Sequence, residues 1–290
     1  MTFAGIELQL ISALVSATFL FLMASGLSLV FGVCRVLNLA HGSIFMLGAF
    51  LAYSVARVVS SSMEAFWLAL LLVPLATALF GAVLEVLLIR RFYAANLLVQ
   101  LMPMVALIYV ISDLSRYIWG VSPGSVPVLG LFGTATILEL TFPAYYLVVL
   151  LASILVAAGL WFVITRTRWG ILVRAASQDR EMSAACGINQ SRLFTSVYAL
   201  ASGLAGLAGV LAAPISGASL EMDMTTVVGA FVVVVVGGMG SVLGSMVASI
   251  LIGLVNAFGI LILPQFEMTF VYALMAVVLI VRPTGLFGRG

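Results

Sequence analysis

The 290-residue sequence has no lysine, one histidine and two cysteines, and charged residues make up only 8% of it. Each scarcity closes off a class of protein. The twelve basic residues are all arginines, spread over short loops with a net charge of +2, so no basic patch exists to meet nucleic-acid phosphates. Cys34 and Cys186 stand far apart without C-x-x-C or metal-ligand spacing. That spacing implies neither a disulfide nor a metal site, and both cysteines read as small apolar fillers. The lone histidine, His41, has no partnered serine or cysteine motif, so the nucleophile-and-base constellation of an intramembrane enzyme is missing. There is no G-x-x-x-x-G-K-[ST] run to cradle a nucleotide phosphate, and no cofactor is expected.

What the chain has instead is apolar length. Hydrophobic residues make up 64% of it and the mean hydropathy is +1.31, more than a soluble domain can hide from water. Lipid offers the backbone no hydrogen-bond partners, so spanning elements must be helices or a closed barrel, and runs of about 20 residues fit helices. The expected fold is all-α: one polytopic membrane bundle over residues 1–290, with eight or nine spans and room for broken helices. Apolar runs fall at 8–31, 41–57, 65–89, 96–119, 142–165, 193–213, 224–237, 242–262 and 266–281. The first run lacks a positive leader segment and carries Glu7, so it reads as a retained helix. Arg90-Arg91, the group Arg166, Arg168, Arg174, Arg180 and Arg192, and the tail pair Arg282 and Arg289 form three clusters. The alternate loops 58–64, 120–141, 214–224 and 264–267 contain no arginine. The positive-inside rule then places the N-terminus outside and the C-terminus in the cytoplasm, provided 224–237 crosses.

The longest polar excursion on the arginine side is 166–192, RTRWGILVRAASQDREMSAACGINQSR. Within it a two-turn helix is marked at both ends. Asp179 can cap its first turn, Glu181 suits the positive end of the dipole, and Gly187 can supply a left-handed stop. So short a helix needs support for its small apolar face, Met182, Ala185 and Cys186. Spacing alone leaves two readings: a loop helix lying on its own bundle, or a knob offered to a soluble partner.

A second polar feature interrupts the apolar start of the chain, where Arg35, Asn38, His41, Gly42 and Ser43 follow one another. An arginine at the bilayer centre costs about 2.5–3.5 kcal/mol on insertion scales, so Arg35 belongs at an interface or in a wet, protein-lined cavity. Two readings again stand. One is a tight turn capped by Asn38, with His41 reaching for water. The other is an interrupted helix, tolerated only beside water or solute. HGSIFMLGA at 41–49 and MGSVLGS at 239–245 echo each other, which makes Gly238, Gly240 and Ser241 the counterpart break in the second half. Elsewhere, Glu85 is placed to pair with Arg90-Arg91, and Asp113 with Arg116 three residues on. Ser202, Gly203, Ala205, Gly206 and Gly209, with Gly48/Ala52 and Gly244/Ala248, give small-residue faces for close helix crossing.

Three stretches, GLSLVFGVCRVLNLAHGSIFMLGAFLAY (26–53), RAASQDREMSAACGINQSRLFTSVYALASGLAGLAGVLAAP (174–214) and VVGGMGSVLGSMVASILIGLVNAF (235–258), carry a resemblance. The chain resembles the permease subunits of branched-chain amino acid ABC importers, specifically the smaller of the two paralogous permeases. That resemblance implies a non-enzymatic transport subunit in the cell inner membrane. It works with a second permease chain, two ATPase subunits and an extracytoplasmic binding protein, and it moves a branched-chain amino acid, urea or a short amide. It further implies that 179–187 is the coupling helix seated in the ATPase, with Asp179, Glu181, Ala184, Ala185 and Gly187 as the docking element. Two departures stand out. Arg180 replaces a proline found in many relatives, leaving helix initiation to Asp179, and Ser43 occupies a position that is acidic or another small residue in many. The competing reading, an ion-coupled secondary carrier, wants several intramembrane carboxylates; only Glu85 and Asp113 qualify, both near run ends and arginines.

Overall fold

A computed structural model describes residues 3–59, 62–121, 124, 126, 132–137 and 140–288. Eleven α-helices follow in order: α1 (Phe3–Cys34), α2 (His41–Val58), α3 (Ser62–Leu87), α4 (Leu97–Trp119), α5 (Tyr145–Arg166), α6 (Arg168–Gln178), α7 (Arg180–Ala185), α8 (Gln190–Ser216), α9 (Met222–Gly237), α10 (Val242–Ile262) and α11 (Glu267–Val281). Seven of them, α1 to α5, α8 and α10, are long and apolar enough to cross a membrane, while α9 and α11 are shorter apolar helices. All nine apolar runs of the sequence therefore become helices. Two elements were not legible. Residues 168–178 form a helix capped by Thr167, whose Oγ1 accepts from the Gly170 amide at 3.1 Å. The run starting at 142 begins instead in a small antiparallel hairpin, β1 (Thr134–Ile137) with β2 (Leu140–Pro143); among the described residues the β-structure is this hairpin and an isolated bridge between Gly124 and Ala218.

α1 and α8 form the centre, each largely buried, whereas α3 and α5 turn most of their surface outward. Small residues make this crowding possible. A Cβ on Gly48 would sit 2.6 Å from the Gly206 carbonyl oxygen, so α2 and α8 cross backbone to backbone; one on Gly206 would overlap Thr77 of α3. Gly253 of α10 lies similarly against Ala13 and Ala17 of α1. The small-residue faces thus serve packing within the chain. The Tyr145 hydroxyl donates to the Leu211 carbonyl at 2.8 Å and pins the start of α5 to α8.

Gly229 of α9 touches Leu20 of α1, and Gly240, just past α9, touches Gly32. α9 therefore runs parallel to α1 through the bundle rather than turning back. The link after α9 is held by the chain's tail, since the Leu286 and Phe287 amides donate to the Val236 and Gly237 carbonyls at 2.8 and 3.0 Å. Arg90 meets Thr195 near the start of α8, and Arg180 reaches the end of α1. The described members of the three arginine clusters accordingly gather at one end; Arg289 lies outside the described residues. One expected pair does not form: Asp113 and Arg116 are both exposed with no ion pair between them. In that setting an ion pair returns little for the side-chain entropy it costs.

Candidate functional site

The two-turn helix α7 has both of its expected ends. Asp179 Oδ1 accepts from the Met182 amide at 2.9 Å. At the other end Gly187 has φ +83°, its amide donates to Ala184 at 2.9 Å, and the Ile188 amide donates to Ser183 at 3.1 Å. This double closure is a Schellman stop, whose left-handed residue favours glycine. α7 stands on the bundle through Ser183, which is buried, and through Arg180. Glu181, Met182, Ala184, Ala185, Cys186 and Gly187 are exposed, Met182 by 62%. The small apolar face consequently does not rest on its own bundle, and Cys186, read as filler, is a surface thiol; Cys34 alone is buried.

At the polar interruption, α1 ends at Cys34 and the chain reverses through Arg35, a left-handed non-glycine residue with φ +53°. Arg35 is exposed, as its charge demands. The next residues do not form a surface turn. Asn38, His41 and Ser43 are buried to 1% exposure or less, and α2 starts at His41 without a side-chain cap from Asn38. His41 Nε2 packs against Gly26, eight residues before the end of α1, or about 12 Å of helix. The chain has folded back into the protein, and α2 begins inside it. The interrupted-helix geometry holds and the capped-turn geometry does not. Among the described residues, both ring nitrogens of His41, Oδ1 of Asn38 and Oγ of Ser43 make no hydrogen bond of good geometry, although the Met23 carbonyl lies near the His41 ring. Polar atoms so placed are costly in a static core.

Sequence reasoning put Asp223 in an outer loop, but it is only 6% exposed, at the start of α9. Its carbonyl abuts Gly42, and its Oδ1 accepts from the Met224 amide at 2.6 Å. Ser43 Oγ lies near its carboxylate without a hydrogen bond of good geometry. Only the folding of α9 back onto α2 makes this neighbour visible.

The second break has two left-handed glycines, Gly238 at φ +100° and Gly240 at +86°, followed by Ser241, whose Oγ accepts from the Gly244 amide at 3.0 Å and starts α10. It borders an open cleft of about 730 Å³ between α1, α5, α6 and α10. Ser28, Gly32, Trp161, Arg174, Gly240 and Ser241 are among its lining, and Ser28 Oγ is buried without a hydrogen-bond partner among the described residues. The two breaks are not brought together. Gly26 faces His41 while Gly32 faces Gly240, and six residues of helix rotate those positions to different sides of α1.

Glu85, fully buried at the end of α3, gathers a network that the sequence disclosed only in part. Arg90 donates to it through Nε at 3.2 Å and Nη2 at 2.9 Å. Tyr93 Oη donates at 3.0 Å, and Thr195 of α8 donates at 2.7 Å. Burial pushes the Tyr93 phenol far above its ordinary range, so it stays protonated as a donor. The expected Glu85–Arg90 pair is thus part of a clamp joining α3 to α8 beside the α7 loop.

A helical bundle whose second helix starts within the protein, with a capped two-turn helix held out at its arginine-rich end, has the build of a membrane permease. The chain belongs to the family described as branched-chain amino acid transport system / permease component, whose profile it matches over residues 9–280. It is 26% identical to the high-affinity branched-chain amino acid transport system permease protein BraD of Pseudomonas aeruginosa, over 97% of this chain and 95% of the relative. It is 24% identical to the corresponding permease protein LivH of Escherichia coli K12, over 92% of this chain and 91% of that one. A more distant likeness, 25% over 81% of this chain and 72% of the relative, links it to the ribose import permease protein RbsC of the same organism. No solved structure matches the chain.

Proposed function

We propose that the chain is the smaller permease subunit of an ATP-driven importer for branched-chain amino acids or a closely related small polar solute. In this reading it pairs with a second permease chain, is driven by two ATPase subunits and receives solute from an extracytoplasmic binding protein. It sits in the inner membrane with its arginine-rich end, including 166–192 and the tail, in the cytoplasm and its N-terminus outside; the gathering of the arginines at one end supports that orientation.

The observation that carries the reading is α7: a helix stopped at both ends that stands on the bundle through Ser183 and Arg180 and turns Glu181, Met182, Ala184 and Ala185 outward, their side chains making no hydrogen bond or ion pair among the described residues. Asp179, Glu181, Ala184, Ala185 and Gly187 form the docking element, Asp179 and Gly187 by fixing its ends and the others by facing the ATPase. The path for solute draws on both breaks. Asn38, His41, Gly42 and Ser43 form a closed polar seam to which Asp223 adds a carboxylate suited to an ammonium group. Gly240 and Ser241 line the open cleft, and Gly238 begins the break beside it. An ion-coupled carrier fits less well, because Glu85 is locked by three partners rather than free to load and release an ion.

The test is Gly187→Pro and Glu181→Arg in the assembled transporter. Both variants should reach the membrane at wild-type levels, and both should lose most uptake while ATPase chains hydrolyse without productive coupling. Normal uptake by either variant at wild-type expression refutes the docking role.

A further inference from the structure

We infer that Arg180 is a positioning residue through which α7 holds the inner end of α1, so that movement of the docking helix reaches the segment leading into His41. The inference rests on the reading of α7 as the ATPase-docking element. The Arg180 guanidinium lies 4.6 Å from the centroid of the Phe194 ring, and its Nη1 donates to the Cys34 carbonyl at 3.4 Å. Cys34 is the last residue of α1, so that carbonyl is one of those a helix end leaves without a partner. The negative end of the helix dipole favours a cation there.

The two contacts differ in what lies behind them. Phe194 is buried and meets Tyr93 edge to face at 5.3 Å, and Tyr93 is bonded to the Glu85 clamp, so this ring belongs to the fixed frame of α3 and α8. The end of α1, by contrast, leads straight into Arg35 at φ +53° and an irregular stretch to residue 40. A guanidinium can slide across an aromatic face and keep its attraction, because the ring's negative charge is spread over that face. Arg180 is therefore guided by Phe194 while it holds Cys34. The main chain of Arg180 is tied in turn to the start of α8, since the Gln190 amide donates to its carbonyl. Displacing α7 shifts the guanidinium along the ring and draws on the end of α1. The compliant part is 35–40, and it carries Asn38 and leads into His41 and Ser43, whose buried polar atoms make no hydrogen bond of good geometry among the described residues. A proline at 180 would start a helix as well but would reach neither contact.

The experiment uses the complete transporter in proteoliposomes, with the second permease, ATPase subunits and liganded binding protein, and compares Arg180→Ala, Arg180→Lys and Phe194→Leu with wild type. Arg180→Ala and Phe194→Leu should keep the ATPase subunits bound and hydrolysis within about twofold of wild type, yet move at least tenfold less solute per ATP. Arg180→Lys, which keeps the cation, should regain half or more of that ratio. Half-buried Arg180 lies in a loop helix, so Arg180→Gln carries the same test should the alanine variant fail to accumulate. An unchanged ratio in an intact Arg180→Ala complex overturns the inference and leaves the docking reading standing. Loss of ATPase subunits from that variant alone also overturns it, since Arg180 would then be a docking contact. Failure of the wild-type chain to bring down ATPase subunits refutes the docking reading, and the inference falls with it.

Discussion

Replacing Glu85 by alanine tests whether the clamp between α3 and α8 holds the arginine-rich end together. The carboxylate is fully buried and accepts from Arg90, Tyr93 and Thr195 at 2.7 to 3.2 Å. Removing one partner of a fully buried ion pair costs about 3–5 kcal/mol, because the other charge is left uncompensated. Here the Arg90 side chain is 35% exposed and can regain water, which lowers that figure. Tyr93 loses its acceptor, at about 1 kcal/mol, while Thr195 keeps a second acceptor in the Ser191 carbonyl at 2.9 Å. The sum comes to about 3 kcal/mol. At about 2–4 °C per kcal/mol for chains of a few hundred residues, the melting temperature in detergent should fall by roughly 6–12 °C. Glu85→Gln keeps an acceptor and the side-chain volume but not the charge, and should lose about half as much. The assay is loss of the monodisperse peak in size-exclusion chromatography after stepwise heating. A Glu85→Ala variant melting within 2 °C of wild type, or a glutamine variant less stable than the alanine one, refutes the reasoning.

Gly48→Val should abolish accumulation of folded protein, since its side chain meets the backbone of Gly206 and such overpacking costs about 3 kcal/mol or more; Gly159→Ala, with nothing within 4 Å of the new methyl, should be neutral or stabilise by up to about 1 kcal/mol. Expression and melting of the two variants decide it, and equal behaviour refutes the close crossing. With Cys34 and Cys186 replaced, a single cysteine at Ser219 should react with an impermeant thiol reagent from outside and one at Ser177 only from the cytoplasm. In the same series, a cysteine at Ser241 should react from the cytoplasm in the resting state and one at Ser43 only after ATP and liganded binding protein are supplied. External labelling at 177 overturns the orientation, and equal labelling of 43 in both states removes the seam from the path.

The helices were legible because lipid imposes one rule along the whole chain: a run of about 20 apolar residues satisfies its own backbone, and each of the nine runs did. The ends of α7 were legible for a local reason, since a capping aspartate and a left-handed glycine act within a turn of where they stand. What stayed hidden depends on residues that the sequence separates. Thr195 donates to a carboxylate 110 positions earlier, and neither periodicity nor spacing singles it out from Ser191 and Ser196 as that partner. Asp223 read as a loop residue because the sequence on either side is polar, yet α9 folds it against Gly42. Helix α6 was missed because its burial is confined to Gly170, Val173 and Ala176, too narrow a stripe among arginines and polar residues to register as an apolar run.

The same distinction explains why the two breaks, alike in sequence, differ in structure. Each pairs glycine with serine after an apolar run, and local chemistry stops there. The first is followed by a helix that crosses α8 at Gly48, so its polar atoms are drawn inside. The second is held by the tail at Val236 and Gly237 and borders an open cleft. Placed on different sides of α1, they cannot form one continuous passage within this chain unless α1 itself moves. The end of α1 that adjoins the first break is also the end that Arg180 holds. Any displacement of α1 that joins the seam to the cleft must therefore shift the Cys34 carbonyl against the Phe194 frame, so under the proposed docking role α7 is the place where such a motion can be driven or blocked.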